Sequence, residues 1–554
     1  MPWVALVGPE LEENLSLRYL ASSLTAAGFD SEILPFSREH EFGPAIARVV
    51  SAPEPPVVVG VSLAFQWRAS DFLAFAAALR ELGYRGHVTM GGHFATFAAH
   101  DLLRAFPEID SVVRQEAEET MVALTRALVD GGDLGRIPGL ALRDAAGEPF
   151  STAQPALPDL ATLPWPDRRG APAASFGHAV APLVASRGCY ANCSFCCIAA
   201  WHEQSLPGKR YRVRDVAAVA DEMAALQRER GVEIFIFHDD NFFVPGHRRN
   251  LERFGALADA LEARGVTRFA TVVKTRPTDV DPAVFRVLKE RLQCIRCYVG
   301  VESDADQGLE TLRRWSPARE NREAFEVVRA LELYTCFNML VFDPDTTIES
   351  LRTNLAFMRF AAEYPSNFGR VELYAGTPLL ERMQGEGRCT GDFLQWDYTL
   401  ASPEVDRIFE LTMQCFHARN FAEDALANRV MGVRFDVEIA KHFHPGAFRR
   451  GWLDEGKALT RALALDGVAA FERVVDHVER GAPRAADGAL IDEVAAGLRR
   501  VEAEIGARCD ALEDAMQAGL GVGRDAPLPK RARGARDSGA TPLQTARTAA
   551  GALR

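Results

Sequence analysis

Short runs of β-branched and aromatic residues alternate with stretches of helical apolar spacing twice along this chain of 554 residues. Such alternation is the pattern of parallel sheets joined by crossover helices. The first series fills residues 1–150, with strands predicted over 3–7, 31–34, 57–62, 87–90 and 111–113 and helices over 15–26, 69–82 and 118–128. The sum is a doubly wound, Rossmann-like α/β domain. Ligands of such a sheet bind beyond the carboxyl ends of its strands, and those ends carry Gly8, Ser62, Gly91, Gly92 and Arg114.

A connector separates the two series. Pro155, Pro158, Pro164, Pro166 and Pro172 fall within residues 151–178, and proline at this density holds a chain extended. The second series, over 179–400, has strands predicted at 183–186, 234–237, 269–273, 295–299, 337–342 and 370–373, with helices at 213–228, 248–264, 281–291 and 348–361. Repeated units of this kind build a full or partial TIM-like parallel barrel, with its chemistry at the carboxyl ends of the strands. Past residue 401 the strand signal fades. Segments 404–417, 459–477 and 491–516 have helical spacing, which gives an α-helical region over 401–520. Residues 521–554, with Lys530, Arg531, Arg533 and Arg536 close together, are expected to form a flexible basic tail.

Charge narrows the partners. The formal net charge is -13, so the chain offers no basic footprint for nucleic acid or an anionic membrane surface. Met1-Pro2-Trp3-Val4-Ala5-Leu6-Val7 leads into a strand pattern without a cationic leader, and no apolar run approaches the roughly 20 residues of a membrane span. A cytoplasmic protein is expected. Ten cysteines in that compartment serve as core thiols, ligands or reactive groups rather than as a disulfide framework.

Clustering separates these uses. Cys189, Cys193, Cys196 and Cys197 lie within nine residues, whereas Cys294, Cys297, Cys336, Cys389, Cys415 and Cys509 are scattered. The segment Ala185-Ser186-Arg187-Gly188-Cys189-Tyr190-Ala191-Asn192-Cys193-Ser194-Phe195-Cys196-Cys197 leaves a predicted strand for a loop. A loop can wrap three thiolates round one inorganic cluster, which a strand, sending alternate side chains to opposite faces, cannot. Against a cluster stand a coincidental run of core thiols and structural zinc, which usually takes four protein ligands. Three ligands leave one iron of a cubane open, so that a small molecule can coordinate there and receive an electron. Cys197 reads as a packed thiol or as a spare ligand.

Cys189-x-x-x-Cys193-x-x-Cys196 after a first barrel strand, with Phe195 just before the third cysteine, resembles the cluster motif of the radical S-adenosylmethionine (SAM) superfamily. The resemblance implies that Cys189, Cys193 and Cys196 hold an oxygen-sensitive 4Fe-4S cluster and that the SAM amino and carboxylate groups chelate its open iron. An electron from a flavodoxin- or ferredoxin-type donor would then cleave SAM to a 5'-deoxyadenosyl radical. Phe195 is expected beside SAM. His238-Asp239-Asp240-Asn241-Phe242-Phe243 follows the strand at 234–237, where the family holds the SAM amino group, so Asp239, Asp240 and Asn241 are candidate contacts. As a plain loop the same residues would cap a helix. Gly300-Val301-Glu302-Ser303 is similar to a Gly-Val-Glu-Ser stretch that faces SAM in the family, which makes Glu302 and Ser303 candidates for the ribose or the sulfonium. Lys274 and Arg276 are candidates for the SAM carboxylate or an anionic substrate, or else solvated cations. Cys294-x-x-Cys297 has the spacing of half a metal site, but an odd offset on a strand sends the two thiols to opposite faces.

Val88-Thr89-Met90-Gly91-Gly92-His93-Phe94-Ala95-Thr96-Phe97 puts two glycines at a strand end, where a backbone without Cβ lets a large ligand approach. With Gly60-Val61-Ser62, Val112-Val113-Arg114-Gln115-Glu116-Ala117-Glu118-Glu119 and the attached cluster domain, it resembles the cobalamin-binding half of the B12-dependent radical SAM family. That resemblance implies cobalamin contacts from Gly8, Ser62, Gly91, Gly92, His93, Thr96, Arg114 and Glu116. Two departures stand out. Many members read Arg-Gly-Glu-Gly-Glu where this chain has Arg114-Gln115-Glu116-Ala117-Glu118, which puts the local loop geometry in question. The Asp-x-His-x-x-Gly signature of classical modules is missing, as is usual in the radical subclass, and His93 either approaches the cofactor or packs within the domain.

The activity implied is radical methylation of an unactivated carbon, in which one SAM methylates cobalamin and another supplies the radical. The alternatives are cyclisation, rearrangement or redox chemistry on both cofactors without methyl transfer, and a non-catalytic cobalamin or iron-sulfur binding protein. The expected substrate is a small molecule or a peptide, as in natural-product biosynthesis.

Overall fold

The computed structural model describes residues 2–10, 13–205, 211–422 and 424–521. From residue 522 on, the expected basic tail lies outside the described residues. The chain divides into two compact units, one of Met1–Ala173, His178–Lys274 and Leu373–Tyr398, the other of Ala174–Gly177, Thr275–Glu372 and Thr399–Arg554.

In the first unit, β1 (Trp3–Gly8), β2 (Asp30–Pro35), β3 (Val58–Ser62), β4 (His87–Gly91) and β5 (Ser111–Val113) run parallel. The central strands are buried at nearly every position, as strands covered on both faces must be. α1 (Leu15–Ala26) covers one face through Leu17, Ala21 and Leu24. α2 (Gly43–Val50), α3 (Ala69–Glu81), α4 (His93–Phe97) and α5 (Ala99–Ala105) cover the other through Ile46, Val49, Phe72, Phe75, Phe94 and Leu102. α6 (Glu118–Asp130) returns to the first face with Met121 and Leu124. β6 (Leu140–Arg143) and β7 (Pro149–Ser151) add an antiparallel hairpin to the strand order β2-β1-β3-β4-β5-β6-β7. The sequence pattern carries no strand at β6, whose Leu140, Ala141 and Leu142 do not alternate; the unpaired ladder edge of Val112 and Val113 recruits it. Connections diverge between β1 and β3, the position at which a doubly wound sheet opens a ligand crevice.

β8 (Ala173–Ser175) ends the connector, and β9 (His178–Leu183) begins the second series five residues earlier than the expected 183–186. Its ladder stops where the Leu183 carbonyl accepts from His238 N–H. Asp239 then accepts from the N–H of Ala185 and the hydroxyl of Ser186, drawing both out of line. β10 (Ser186–Gly188) accordingly pairs antiparallel with β11 (Tyr211–Val213), and between them lies α7 (Cys197–Ser205). α8 (Val216–Arg230) leads to β12 (Val232–Phe237), and α9 (His247–Ala263) to β13 (Ala270–Thr275). β12 pairs parallel with β9 on one side and β13 on the other. Asp215 caps α8 by accepting from Ala217 and Ala218 N–H.

The second unit continues the alternation. α10 (Pro282–Glu290), capped by Asp281, precedes β14 (Cys294–Glu302); α11 (Asp306–Thr311) and α12 (Arg319–Ala330) precede β15 (Thr335–Phe342); α13 (Ile348–Phe360) precedes β16 (Ser366–Arg370). The three strands are parallel neighbours. β16 ends where 370–373 was expected to begin. Its Ser-Asn-Phe-Gly-Arg sequence carries no β-branched residue, and only the ladder on β15 makes it a strand. α14 (Pro378–Gly385) and the hairpin of β17 (Cys389–Asp392) and β18 (Gln395–Tyr398) belong to the first unit.

α15 (Pro403–Phe416), α16 (Leu426–Phe443), α17 (Arg450–Glu479) and α18 (Asp487–Leu520) form the carboxyl-terminal helical part. α16 lies within the expected helical region, between two of the segments with helical spacing. It is buried around most of its circumference, including Val430, Arg434, Val437 and Glu438, and so shows no apolar stripe. Among the described residues no helix is long and apolar enough to cross a membrane.

Candidate functional site

The cysteine triplet occupies the loop from β10 to α7. Cys193 is buried, while Cys189 and Cys196 are half-buried, and none of the ten cysteines is disulfide-bonded. Ala191 N–H points at the Cys189 sulfur, 3.4 Å away. α7 starts immediately after Cys196, so the N–H groups of Ile198 and Ala199 in its first turn are directed at the Cys196 sulfur. Burial nevertheless pushes that thiol well above its ordinary pKa, and the crowding of Cys197 and Cys193 adds to the rise. Thiolates packed this closely are disfavoured unless a cation compensates them. That chemistry fits iron: the site disfavours bare thiolates but supplies N–H donors for ligated sulfur. Among the described residues no three Cys, His, Asp or Glu side chains converge as for a single ion; a cubane asks one sulfur of each of three irons.

The candidate SAM residues separate into groups. Phe195 is half-buried in the cluster loop. Asp239 is turned inward: both carboxylate oxygens are engaged by Ala185 and Ser186, and burial lifts its pKa to about 6 against the pull of those hydrogen bonds. It supports the base of the cluster ribbon. Asp240 is exposed, with Oδ2 accepting from Gly188 N–H at 3.0 Å. Asn241 is buried, its Oδ1 accepts from Phe243 N–H, and its Nδ2 has no hydrogen-bond partner among the described residues. A buried amide donor left open in this way is the mark of a missing acceptor. Lys274 is exposed at the end of β13.

Arg276, Glu302 and Ser303 lie in the second unit. Arg276 donates to the Arg314 carbonyl. Glu302 has φ 66°, left-handed for a residue with a side chain, where the β14 ladder slips; such conformations concentrate at functional sites. Ser303 is fully buried and donates to the Ala305 carbonyl and to Asn354 Oδ1. It fastens the turn. Cys294 and Cys297 are both buried within β14.

At the strand ends of the amino-terminal sheet, a Cβ on Gly8 would stand 3.0 Å from that of Ser62 and 3.1 Å from Leu17 Cδ1. Gly92 has φ 108°, and a Cβ there would lie 3.0 Å from the backbone of Leu63 and Ala64. Gly91 and Ser62 are partly exposed beside them. Thr96 is buried and accepts from Gln115 N–H at 3.0 Å. Arg114 is directed at the β6–β7 side of the sheet, donating to the Thr152 carbonyl at 2.9 Å. His93 packs against Trp201 of α7 with ring centroids 4.8 Å apart and the rings tilted by 51°, and Trp201 meets His202 edge-on at 4.8 Å. Burial pushes His93 below the ordinary histidine range, and the Asp240 carboxylate opposes that shift. The glycine-rich strand end of the amino-terminal sheet therefore faces the cluster segment.

Glu116 does the same through charge. Its carboxylate is 4% exposed and ion-paired to Arg187, at 2.6 Å, and to Arg212. Arg187, one residue before Gly188 and two before Cys189, also pairs with Glu118 at 2.6 Å and lies over the Tyr19 ring at 4.9 Å. Burial works against its charge, but Glu118 and Glu116 more than offset it and raise its pKa. Gln115 accepts from the Ser205 hydroxyl at the end of α7. Leu379 N–H donates to the Ser194 carbonyl, and the Gly376 backbone abuts the Phe97 ring. Sequence reasoning missed Arg187, Arg212, Trp201 and His202, because nothing local distinguishes them from solvated or core residues; the one available signal was Gln115 in place of a family glycine.

Comparison with known proteins agrees with this geometry. Residues 4–125 match the B12 binding domain and residues 183–358 the radical SAM superfamily. An uncharacterised methyltransferase of Pyrococcus horikoshii is 26% identical over 386 residues, covering 68% of this chain and 79% of that protein. The anaerobic magnesium-protoporphyrin IX monomethyl ester cyclase of Cereibacter sphaeroides is 25% identical over 386 residues, 66% of this chain and 60% of its own length. Among solved structures, the cobalamin-dependent SAM radical enzyme OxsB, with aqua-cobalamin and SAM bound, superposes with a TM-score of 0.63 at 14% identity, covering 94% of this chain and 80% of its own. With a B12-binding domain followed by a radical SAM domain in one α/β chain, this protein belongs to the cobalamin-dependent radical SAM enzymes.

Proposed function

We infer that the chain methylates an unactivated carbon of a small-molecule substrate, using a 4Fe-4S cluster, SAM and cobalamin. The observation that carries the reading is the meeting, within one compact unit, of the Gly91–Gly92 strand end with the segment that bears Cys189, Cys193 and Cys196. When bound, the cluster would supply the electron for reductive cleavage of SAM, and cobalamin would supply a carrier for the methyl group. A flavodoxin- or ferredoxin-type protein in a reducing cytoplasm is the fitting electron source.

The residues divide the work by chemistry. Cys189, Cys193 and Cys196 hold the cluster. Asp240, exposed and anchored on Gly188 N–H, offers an acceptor for the SAM ammonium, and the open Nδ2 of Asn241 offers a donor to its carboxylate. Lys274 supplies a second cation for that carboxylate or for an anionic substrate. Gly8, Ser62, Gly91, Gly92 and His93, at the carboxyl ends of the parallel strands, are assigned to the corrin.

Incubation of reconstituted enzyme with candidate metabolites and methyl-labelled SAM tests the reading. Label should appear on carbon in the product; turnover that never moves it there sinks methylation. The similarity to a cyclase favours a second reading, ring formation on both cofactors without methyl transfer. That reaction would give an unlabelled product together with 5'-deoxyadenosine.

A further inference from the structure

The loop Gln115–Glu118 grips the cluster segment on both flanks. Ahead of the cysteines, Glu116 and Glu118 pair with Arg187; on the returning strand of the ribbon Glu116 pairs with Arg212; behind the cysteines Gln115 accepts from Ser205. All these groups are buried or nearly so, with Gln115 4% and Ser205 5% exposed. Arg187 and Arg212 face each other across the two-stranded ribbon, so one carboxylate ties both of its strands. Gln115 holds φ 67°, in the left-handed region that favours glycine. A side chain there costs backbone energy, and what it gains is the bond to α7.

We propose that Gln115 and Glu116 are positioning residues, a clasp by which the cobalamin domain fixes the location of the cluster loop. The proposal rests on the two-cofactor reading above. The Gln115 and Glu116 side chains are engaged by Ser205, Arg187 and Arg212. They act by holding Cys189, Cys193 and Cys196, through Arg187, Arg212 and α7, at one place relative to the Gly91–Gly92 strand end. Rigid placement of two reacting centres is worth most when the acceptor is short-lived, as a carbon radical is.

Hydrogen exchange on the full chain without added cofactors provides the first test. Glu116→Gln and Ser205→Ala should each speed amide exchange about tenfold across 186–205, and together more than either alone, while β1, β3 and α3 keep their protection. Gln115→Gly relieves the left-handed backbone yet removes the bond to Ser205. It should leave the melting temperature unchanged or higher while exchange in α7 rises, a combination that general support of the core would not give. Unchanged exchange in 186–205, or a rise spread evenly over the first unit, overturns the clasp. The second test uses protein loaded with cluster and cob(II)alamin. Magnetic relaxation of the cobalt signal by the reduced cluster should weaken in Glu116→Gln at equal cofactor content, and equal relaxation in variant and parent also overturns the clasp. A wild-type chain that takes up no cobalamin defeats the two-cofactor reading instead, and leaves the exchange experiment to decide the clasp.

Discussion

Cys196 and Cys197 are adjacent in sequence, but the chain treats them differently. Cys196 ends the loop and receives the first N–H groups of α7, whereas Cys197 is the first residue of that helix. Replacing Cys193 or Cys196 by Ala should therefore reduce iron from about four atoms per chain to near zero after anaerobic reconstitution, and SAM cleavage should disappear with it. Cys197→Ala should keep both, as iron and sulfide analysis will show. Gly92 makes a sharper demand on the backbone. Ala at φ 108°, against Leu63 and Ala64, should cost about 3 kcal/mol from strain and overpacking, seen as a lower urea midpoint with reduced cobalamin retention. Both features were legible in the sequence because they are local: a spacing of three cysteines and a pair of glycines at a strand end. Asp239 was not. Its neighbours suggest a ligand contact, but its partners Ala185 and Ser186 lie more than fifty residues away in sequence and become neighbours only when β9 and β12 pair.

Elements were legible where their pattern was one-sided. The parallel strands and α1, α3, α6, α8 and α9 follow the expected periodicities, while α16, buried on most sides, and β16, without β-branched residues, take their form from what they pack against. α7 shows how one element joins packing to electrostatics. Its Trp201 and His202 are buried, and His202 Nδ1, with no hydrogen-bond partner among the described residues, lies 3.9 Å from Glu116. Burial, helped by His93, Arg212 and Arg187, lowers His202 to about 3. The unfolded chain thus takes up a proton on this side chain near pH 6.5 while the folded chain refuses it until about pH 3. Stability is lost as pH falls through that window, by about 2 kcal/mol at pH 5. Asp239, lifted to about 6, acts in the opposite sense, gaining stability as pH falls from about 6 towards its unfolded value. The informative quantity is therefore parent against variant at each pH. His202→Phe keeps a ring on Trp201 and removes the titration, so its stability relative to the parent should improve by about 2 kcal/mol between pH 8 and pH 5 in urea unfolding.

For the molecule as a whole, the sequence order of a cobalamin domain, a cluster domain and a helical end was legible, and the way the segment bearing the cysteines joins the amino-terminal sheet in one compact unit was not. Glu13, Glu116 and Glu118 from the amino-terminal domain meet Arg168, Arg187, Arg212 and Arg230 from the connector and the second series. Opposite charges distributed on the two partners in this way bring them together in one register. The proposed reaction uses both cofactors, and it has a stoichiometry. If a methyl cation equivalent is delivered to cobalamin by one SAM and the radical is drawn from another, each methylated product accompanies one S-adenosylhomocysteine and one 5'-deoxyadenosine. Cyclisation without methyl transfer leaves 5'-deoxyadenosine alone. Chromatographic quantification of both nucleosides against product, in single-substrate turnovers with excess reductant, should give a ratio near one to one. A yield of 5'-deoxyadenosine with no matching S-adenosylhomocysteine would assign the chain to ring formation. Excess 5'-deoxyadenosine over an otherwise matched pair would measure radicals quenched before methyl transfer, and that excess should grow when Glu116 is replaced by Gln.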